Sequence, residues 1–352
     1  KTSMSILEVY LLGSREEYID DFFTRIPPDV ILRMRCLSSS VLYAVEAYMY
    51  RHWNVSGTLS RWFYNVRTFL IALEACDAIV SGGAAVAFFA RQDYPDADLE
   101  IYIPIHGLLP MGRFLRRQGY AYQAAPGQHP FFDAAVLSHT AYITTHDPRR
   151  RNDPHYNPYT CTYHFVLPLD PEFREGKHIR LVSVLTDPVE YMLRNSKSTG
   201  TMNYLTGTHA VSLFPRTTFV ARTLVHCQDT SRSPVSHQTW TNKYRARGFS
   251  VVDAGVTLPN IRELRKWERR VGDKLTWVLP YKRIGTAERP PIQMRSYAFE
   301  VLDVTTEVTA AGAALRVGPR FWYSSMAYMR KPMKSFSQYR SIETAAAFLQ
   351  DF

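Results

Sequence analysis

Two glycines and two carboxylates within residues 79–103 are the groups whose types and spacing best suit chemistry. Gly82 and Gly83 follow a short apolar run and precede an apolar stretch, which predicts a sharp turn from a strand into a helix. Backbone N–H groups at such a helix start, with no side chain in the way, suit phosphate oxygens. We therefore expect Gly82 and Gly83, with Ser81 before them, to contact the phosphates of a nucleotide.

The two carboxylates, Asp98 and Glu100, stand two residues apart around a predicted strand at 99–103. At that spacing both side chains project from the same face of the strand. Mg²⁺ prefers oxygen ligands and often completes its shell with substrate phosphates. A phosphate-binding turn facing a carboxylate pair is typical of nucleotidyl transfer. We expect Asp98 and Glu100 to bind Mg²⁺ and to act as catalytic residues.

The elements that must hold these groups are read from apolar periodicity and turn residues. The patterns predict helices at 29–50, 59–75, 84–92, 108–118, 187–194, 238–247 and 260–271. They predict strands at 78–80, 99–103, 162–167, 179–185, 295–304 and 314–322. A long loop or insertion is expected at 124–160, because Pro, Gly, His, Asn and Arg are frequent there. The order indicates an α+β protein with a helical segment at 1–75, a core at 76–195 and a mixed α/β region at 196–352.

The run I-V-S-G-G-A-A-V-A-F-F, followed by Y-P-D-A-D-L-E-I-Y, resembles the signature of the nucleotidyltransferase fold superfamily. More closely, it resembles uncharacterised fungal proteins that join a degenerate F-box-like N-terminus to such a core. The later segments S-T-G-T-M-N, L-F-P and K-Y-R-A-R-G-F are also similar, so the resemblance spans roughly residues 25–330. It implies a mixed-sheet core that binds a nucleoside triphosphate with Mg²⁺ and transfers a nucleotidyl group to an acceptor hydroxyl.

The strand that supplies a third carboxylate in active members of the superfamily corresponds here to 178–184, and it offers Arg180 instead. A cation there would repel Mg²⁺, but it suits a phosphate or an ion pair with Asp98 or Glu100. Two alternatives stay open: catalysis with one metal ion, or nucleotide binding without turnover.

The polar run S-K-S-T-G-T-M-N at 196–203 follows the predicted helix at 187–194. We expect Lys197 and Ser198 to reach the triphosphate or the base, with a simple capping turn as the alternative.

A second hypothesis concerns the N-terminal helices. The segment I-P-P-D-V-I-L-R-M at 26–34 resembles the opening of an F-box, and Trp53 lies near the position of the usual tryptophan. This implies a catalytically inactive scaffold whose helices dock onto a protein partner, a ubiquitin-ligase adaptor. The alternative is a helical cap packed on the core.

Composition limits the partners. The chain has 42 Lys and Arg against 32 Asp and Glu, a net charge of +10, which favours an anionic partner. No RNA-binding module signature supports nucleic acid as the partner.

The cysteines and histidines limit metal sites and location. His155, Cys161 and His164 are too loosely spaced for structural zinc. Scattered cysteines and the lack of a long apolar run predict no membrane contact and a cytoplasmic or nuclear location.

Overall fold

The computed structural model describes residues 4–145, 160–168, 177–185, 187–227, 234–252, 261–264 and 267–281, with short strands at 298–301, 307–308, 314–315 and 321–322. The described residues form a mixed α+β fold, as the sequence predicts. Of the predicted loop at 124–160, residues 146–159 lie outside them.

Six helices precede the first strand: α1 (Ile6–Gly13), α2 (Glu16–Thr24), α3 (Pro28–Met34), α4 (Ser39–His52), α5 (Val55–Leu59) and α6 (Val66–Ala75). The predicted single helices at 29–50 and 59–75 are wrong, because each is divided in two. Ser38 and Asn65 cause the restarts, since each side chain accepts a hydrogen bond from a backbone N–H three residues later and so caps a new helix.

The core alternates strands and helices: β1 (Ile79–Ser81), α7 (Gly83–Ala90), β2 (Leu99–Pro104), α8 (Ile105–Arg117), β3 (Ala121–Gln123), α9 (Phe132–Thr145), β4 (Thr162–Leu167), β5 (Lys177–Val184) and α10 (Pro188–Asn195). The expectation of a loop throughout 124–160 is wrong, because part of this range forms the helix α9. Its first turn buries Phe132, Ala135 and Val136, and the ring of Phe132 packs 5.1 Å from that of Phe165.

The remaining described elements are β6 (Asn203–Leu205), β7 (His209–Ser212), β8 (Thr223–Val225), α11 (Pro234–Ala246), β9 (Ser250–Val252), β10 (Trp267–Arg270), β11 (Trp277–Pro280), β12 (Ala298–Val301), β13 (Glu307–Val308), β14 (Ala314–Leu315) and β15 (Phe321–Trp322). The predicted helix at 260–271 is wrong. A short 3₁₀ turn at Arg262–Leu264 is followed by β10, which is held as a strand because it pairs antiparallel with β12.

Eight strands form the main sheet in the order β11-β7-β6-β1-β2-β5-β4-β3. The pair β2 and β5 is parallel, and the other neighbours in this sheet are antiparallel. Strands from both sides of the predicted boundary at residue 195 share this sheet. That boundary and the one at residue 75 stay predictions.

The two faces of β2 have different environments because successive side chains alternate. Leu99, Ile101 and Ile103 are fully buried against the helices. Glu100 and Tyr102 project from the other face, which carries α10 and the candidate site.

The N-terminal helices pack on the core. The indole N–H of Trp53 donates to the carbonyl of Phe89 in α7, with the two heavy atoms 3.3 Å apart. One hydrophobic cluster runs from Leu11 to Val251 and includes residues of α3, α4 and α6. Within the described part of the chain, no helix is long and apolar enough to span a membrane.

Candidate functional site

The turn between β1 and α7 requires glycine at its first position. Gly82 has φ +68° and ψ −142°, a conformation that residues with a side chain rarely adopt. A Cβ atom at Gly82 would lie 2.6 Å from Oε2 of Glu100, closer than Cβ atoms approach other heavy atoms. The turn therefore brings bare backbone against the Glu100 carboxylate.

The start of α7 presents N–H groups without acceptors. The first hydrogen bond at this end runs from the Val86 N–H to the Gly82 carbonyl, at 3.1 Å. The N–H groups of Gly83, Ala84 and Ala85 make no hydrogen bond to any described residue. Ala84 and Ala85 are fully buried. A helix start buried in this way is suited to an anion, because the N–H groups and the helix dipole both favour negative charge.

The predicted carboxylates lie beside this turn, and Arg180 lies beside both of them. Glu100 is opposite Ser81 in β1 and in register with Arg180 in β5. The Arg180 Nε atom is 3.4 Å from Oδ2 of Asp98, and Nη2 is 3.8 Å from Oε2 of Glu100. Asp98 immediately precedes β2, and its side chain lies on the same face as that of Glu100.

Burial dominates the electrostatics of Glu100, whose side chain is 21% exposed. Burial raises the pKa of Glu100, and the positive charges of Arg180, Lys197 and Lys243 act in the opposite direction. The negative charge of Asp98 adds to the upward shift of this pKa. Burial therefore disfavours the ionised form of Glu100, and the nearby cations favour it.

Two histidines that were not expected from the sequence extend the site beyond Asp98. His178 Nδ1 lies 3.2 Å from Oδ1 of Asp98, and His178 Nε2 lies 3.0 Å from Nδ1 of His164. The two imidazole rings are parallel within 2°. The position of His178 could have been predicted from the sequence, because His178 and Arg180 are two residues apart in β5 and therefore share a face. The pairing of β4 with β5, which adds His164, depends on the fold.

A second missed group flanks Gly83 from the end of α11. The Arg247 side chain is 6% exposed, and its Nη2 donates to Oδ1 of Asp96 at 2.7 Å. Its Nη1 is buried without a hydrogen-bond partner among the described residues, and a Cβ at Gly83 would lie 3.5 Å from it. The guanidinium also stacks on Tyr94, with 4.2 Å between its carbon and the ring centroid.

Asp96 is held ionised by two cations. Lys243 Nζ lies 3.0 Å from Oδ2 of Asp96, and Arg247 binds the other oxygen. Burial pushes the pKa of Asp96 upward, but hydrogen bonds from Arg247 and Lys243 outweigh burial and lower the pKa to about 2.

Three other predicted residues have different placements. Ser81 is fully buried, and its hydroxyl donates to the Asn203 carbonyl at 2.9 Å, which ties β1 to β6. Ser198 is also fully buried, in a single β-bridge with His226. Lys197 is exposed and close enough for its charge to lower the pKa of Glu100. Lys197 thus lies near the carboxylates, while both hydroxyls lie in the interior.

The donor set around Asp98 and Glu100 does not fit a resident Mg²⁺. Mg²⁺ needs carboxylate oxygens free of competing cations and a near-octahedral oxygen shell. Here Arg180 faces both carboxylates, and His178 contacts Asp98. Among the described residues, no three His, Cys, Asp or Glu side chains are grouped to hold a metal ion. The Mg²⁺ site stays a prediction.

Compared with family models, curated proteins and solved structures, the chain gives no match. The geometry of the site itself therefore carries the functional argument.

Proposed function

We propose that this chain is a nucleotidyltransferase-like protein that binds a nucleotide through its phosphates at the start of α7. The observation that carries the proposal is the set of N–H groups of Gly83, Ala84 and Ala85, which have no acceptor among the described residues. A buried polar group without a partner costs about 1–3 kcal/mol. Phosphate oxygens would offset this cost by accepting those hydrogen bonds.

Arg247 supports a phosphate ligand at the same place. Its Nη1 is buried and close to Gly83, so an oxygen bound at the helix start would lie within reach of a guanidinium donor. Hydrogen bonds between charged partners are about twice as strong as neutral ones. The net charge of +10 also favours approach of a polyanion.

We propose nucleotide binding without nucleotidyl transfer. Transfer by the chemistry expected from the sequence needs carboxylates that are free to hold Mg²⁺. Asp98 and Glu100 instead face Arg180, and Asp98 also contacts His178. These contacts support the alternative of binding without turnover.

The test is isothermal titration of the full chain with each of the four nucleoside triphosphates. The variant Arg247→Lys keeps a positive charge beside Asp96 but removes the second guanidinium nitrogen. We expect it to weaken binding about tenfold, equivalent to about 1.4 kcal/mol. The matched control is Arg245→Lys, an exposed residue in α11, which should bind like the wild type. The proposal fails if no triphosphate binds, or if Arg247→Lys binds as tightly as the control.

A second candidate function is a protein-interaction scaffold. Its F-box-like N-terminal helices would bind a ubiquitin-ligase adaptor. It is favoured by α1, where Ile6 is 91% exposed and Val9 and Leu12 are also exposed. The F-box-like segment itself gives less support, because Ile31 and Met34 are buried in the core. Titration of the full chain with the purified adaptor tests this, and Val9→Glu should abolish binding if α1 is the docking surface.

A further inference from the structure

Arg180 occupies the space between the two site carboxylates. Its position is fixed by the parallel register of β2 and β5, which sets Glu100 beside Arg180. The guanidinium then reaches Asp98 with Nε at 3.4 Å and Glu100 with Nη2 at 3.8 Å. A positive charge already bridges the pair of oxygens that a divalent cation would need.

The charges around the site are balanced without a metal ion. Three carboxylates lie in this region: Asp96, Asp98 and Glu100. Four cations face them: Arg180, Lys197, Lys243 and Arg247. An additional divalent cation would have to approach a region that already has a small positive excess. Electrostatic attraction therefore favours an anion over Mg²⁺.

The donors of Arg180 are not saturated by the carboxylates. Its Nε is buried and makes no hydrogen bond within the described part of the chain, although it lies 3.4 Å from Asp98. Hydrogen bonds between a guanidinium and a carboxylate are usually about 2.7–2.9 Å long. Both ion-pair distances of Arg180 are longer than this. A guanidinium has five N–H donors in a planar fork that matches phosphate oxygens. Arg180 can thus neutralise the carboxylates and still donate to a phosphate.

We infer that Arg180 takes the place of the divalent cation in this cleft, so that a nucleoside triphosphate binds without Mg²⁺. This inference rests on the proposed function and adds the role of the metal to it. In this arrangement the cation that bridges the carboxylates and the phosphate is part of the protein. Its charge cannot be removed by a chelator.

The first experiment compares titrations of the full chain with each triphosphate in excess EDTA and in millimolar Mg²⁺. We expect dissociation constants that agree within about twofold. Binding that is about tenfold weaker or lost in EDTA would overturn the inference while leaving nucleotide binding intact. Loss of binding in both conditions would instead refute the proposed function, so the two failures are distinguishable.

The second experiment needs no nucleotide. Mn²⁺ added to the wild-type chain should keep the electron paramagnetic resonance signal of free Mn²⁺. Arg180→Asp, which adds a carboxylate to the Asp98–Glu100 pair, should bind Mn²⁺ and reduce that signal. Arg180→Lys should behave like the wild type. The neutral variant Arg180→Gln provides a second test in case Arg180→Asp does not fold. Arg180→Gln should bind Mn²⁺ more weakly than Arg180→Asp but more tightly than the wild type.

Two results would overturn the inference here. One is Mn²⁺ binding by the wild type that Glu100→Gln abolishes. The other is a folded Arg180→Asp and a folded Arg180→Gln that both fail to bind Mn²⁺, since removing the guanidinium should then have freed the carboxylates.

Discussion

Glu100 lies so close to Gly82 that a Cβ atom on the glycine would be 2.6 Å from the Oε2 atom of the carboxylate. The same glycine has a φ of +68°. Two independent constraints, backbone conformation and contact with the site carboxylate, thus require glycine at the turn that begins α7.

We predict that Gly82→Ala lowers the free energy of unfolding by about 1–3 kcal/mol, the usual cost of a strained backbone position. Urea unfolding followed by circular dichroism measures this change. The matched control is Gly57→Ala in α5, where the nearest atoms to a Cβ are 3.9 Å away. Alanine there should leave stability unchanged or raise it. Equal stability of Gly82→Ala and the wild type would contradict the constraint.

Arg91 joins the N-terminal helices to the end of α7. We predict that replacing it destabilises the folded protein. Its Nη1 donates to the Phe23 carbonyl at 3.1 Å, its Nη2 donates to the Ile26 carbonyl at 3.2 Å, and the guanidinium lies 5.1 Å from the Trp53 ring centroid. Arg91→Ala should lower the free energy of unfolding by about 2–4 kcal/mol, because two carbonyls lose charged donors.

The control for Arg91 is Arg35→Ala, which breaks an exposed ion pair with Glu46. Exposed pairs contribute about 0–1 kcal/mol, so this variant should unfold close to the wild type in urea. If both variants had the same stability, the N-terminal helices would not depend on Arg91 for their attachment.

The ion pairs of Asp96 predict a loss of stability in acid. A carboxyl whose pKa is lowered on folding stabilises the protein above its unfolded pKa, and this contribution is lost as pH falls through the folded pKa. For Asp96 the window runs from 3.8 down to about 2. Because the side chain is 56% exposed, solvent screening reduces the effect to about 1 kcal/mol.

Asp96→Asn should therefore lose less stability than the wild type across this window in urea unfolding at a series of pH values. The exposed carboxylate of Asp93 provides the control, and Asp93→Asn should follow the wild-type profile. Parallel profiles for Asp96→Asn and the wild type would contradict the assigned ion pairs.

His164 lies where burial and nearby cations both oppose its protonation. Burial lowers the pKa of His164, and the positive charges of protonated His178 and Arg180 lower it further, while the negative charge of Asp98 acts in the opposite direction. We therefore predict that Asp98→Asn lowers the pKa of His164 below its wild-type value.

The ¹⁵N chemical shifts of the His164 ring over a series of pH values measure this pKa. We expect the wild-type pKa of His164 to lie below the usual value, and that of Asp98→Asn to lie lower still, because the neutral amide no longer favours the protonated ring. An unchanged or raised pKa of His164 in Asp98→Asn would contradict the assigned electrostatics.

The parts of the fold that follow from the sequence are those set by neighbouring residues. The strand, glycine turn, helix and second strand from β1 to β2 are confirmed, because the Gly82–Gly83 pair and the alternation of apolar residues from Leu99 to Ile103 act locally. The predicted helix at 260–271 fails because β10 is stabilised by pairing with β12, about thirty residues away, and tertiary pairing overrides local periodicity.

The same distinction applies to the site. Gly82, Gly83, Asp98 and Glu100 are close in sequence, and Arg180 was expected to contact a phosphate or to pair with one of the carboxylates. The structure places these five residues together, and their roles stay predictions. Arg247 and His164 were missed because their approach depends on where α11 and β4 pack. Ser81 and Ser198 were expected to contact the ligand, but both are fully buried. The burial of these serines could not be predicted from the residues next to them.

The most direct test of nucleotide binding at α7 is a ¹H–¹⁵N correlation spectrum of the full chain during titration with the nucleoside triphosphate that binds most tightly. Phosphate oxygens that accept hydrogen bonds from the amides of Gly83, Ala84 and Ala85 should shift these three signals most strongly. The amide of Gly57, in α5, should remain in place. Saturation with the nucleotide while the three amide signals stay unchanged would contradict binding at the start of α7.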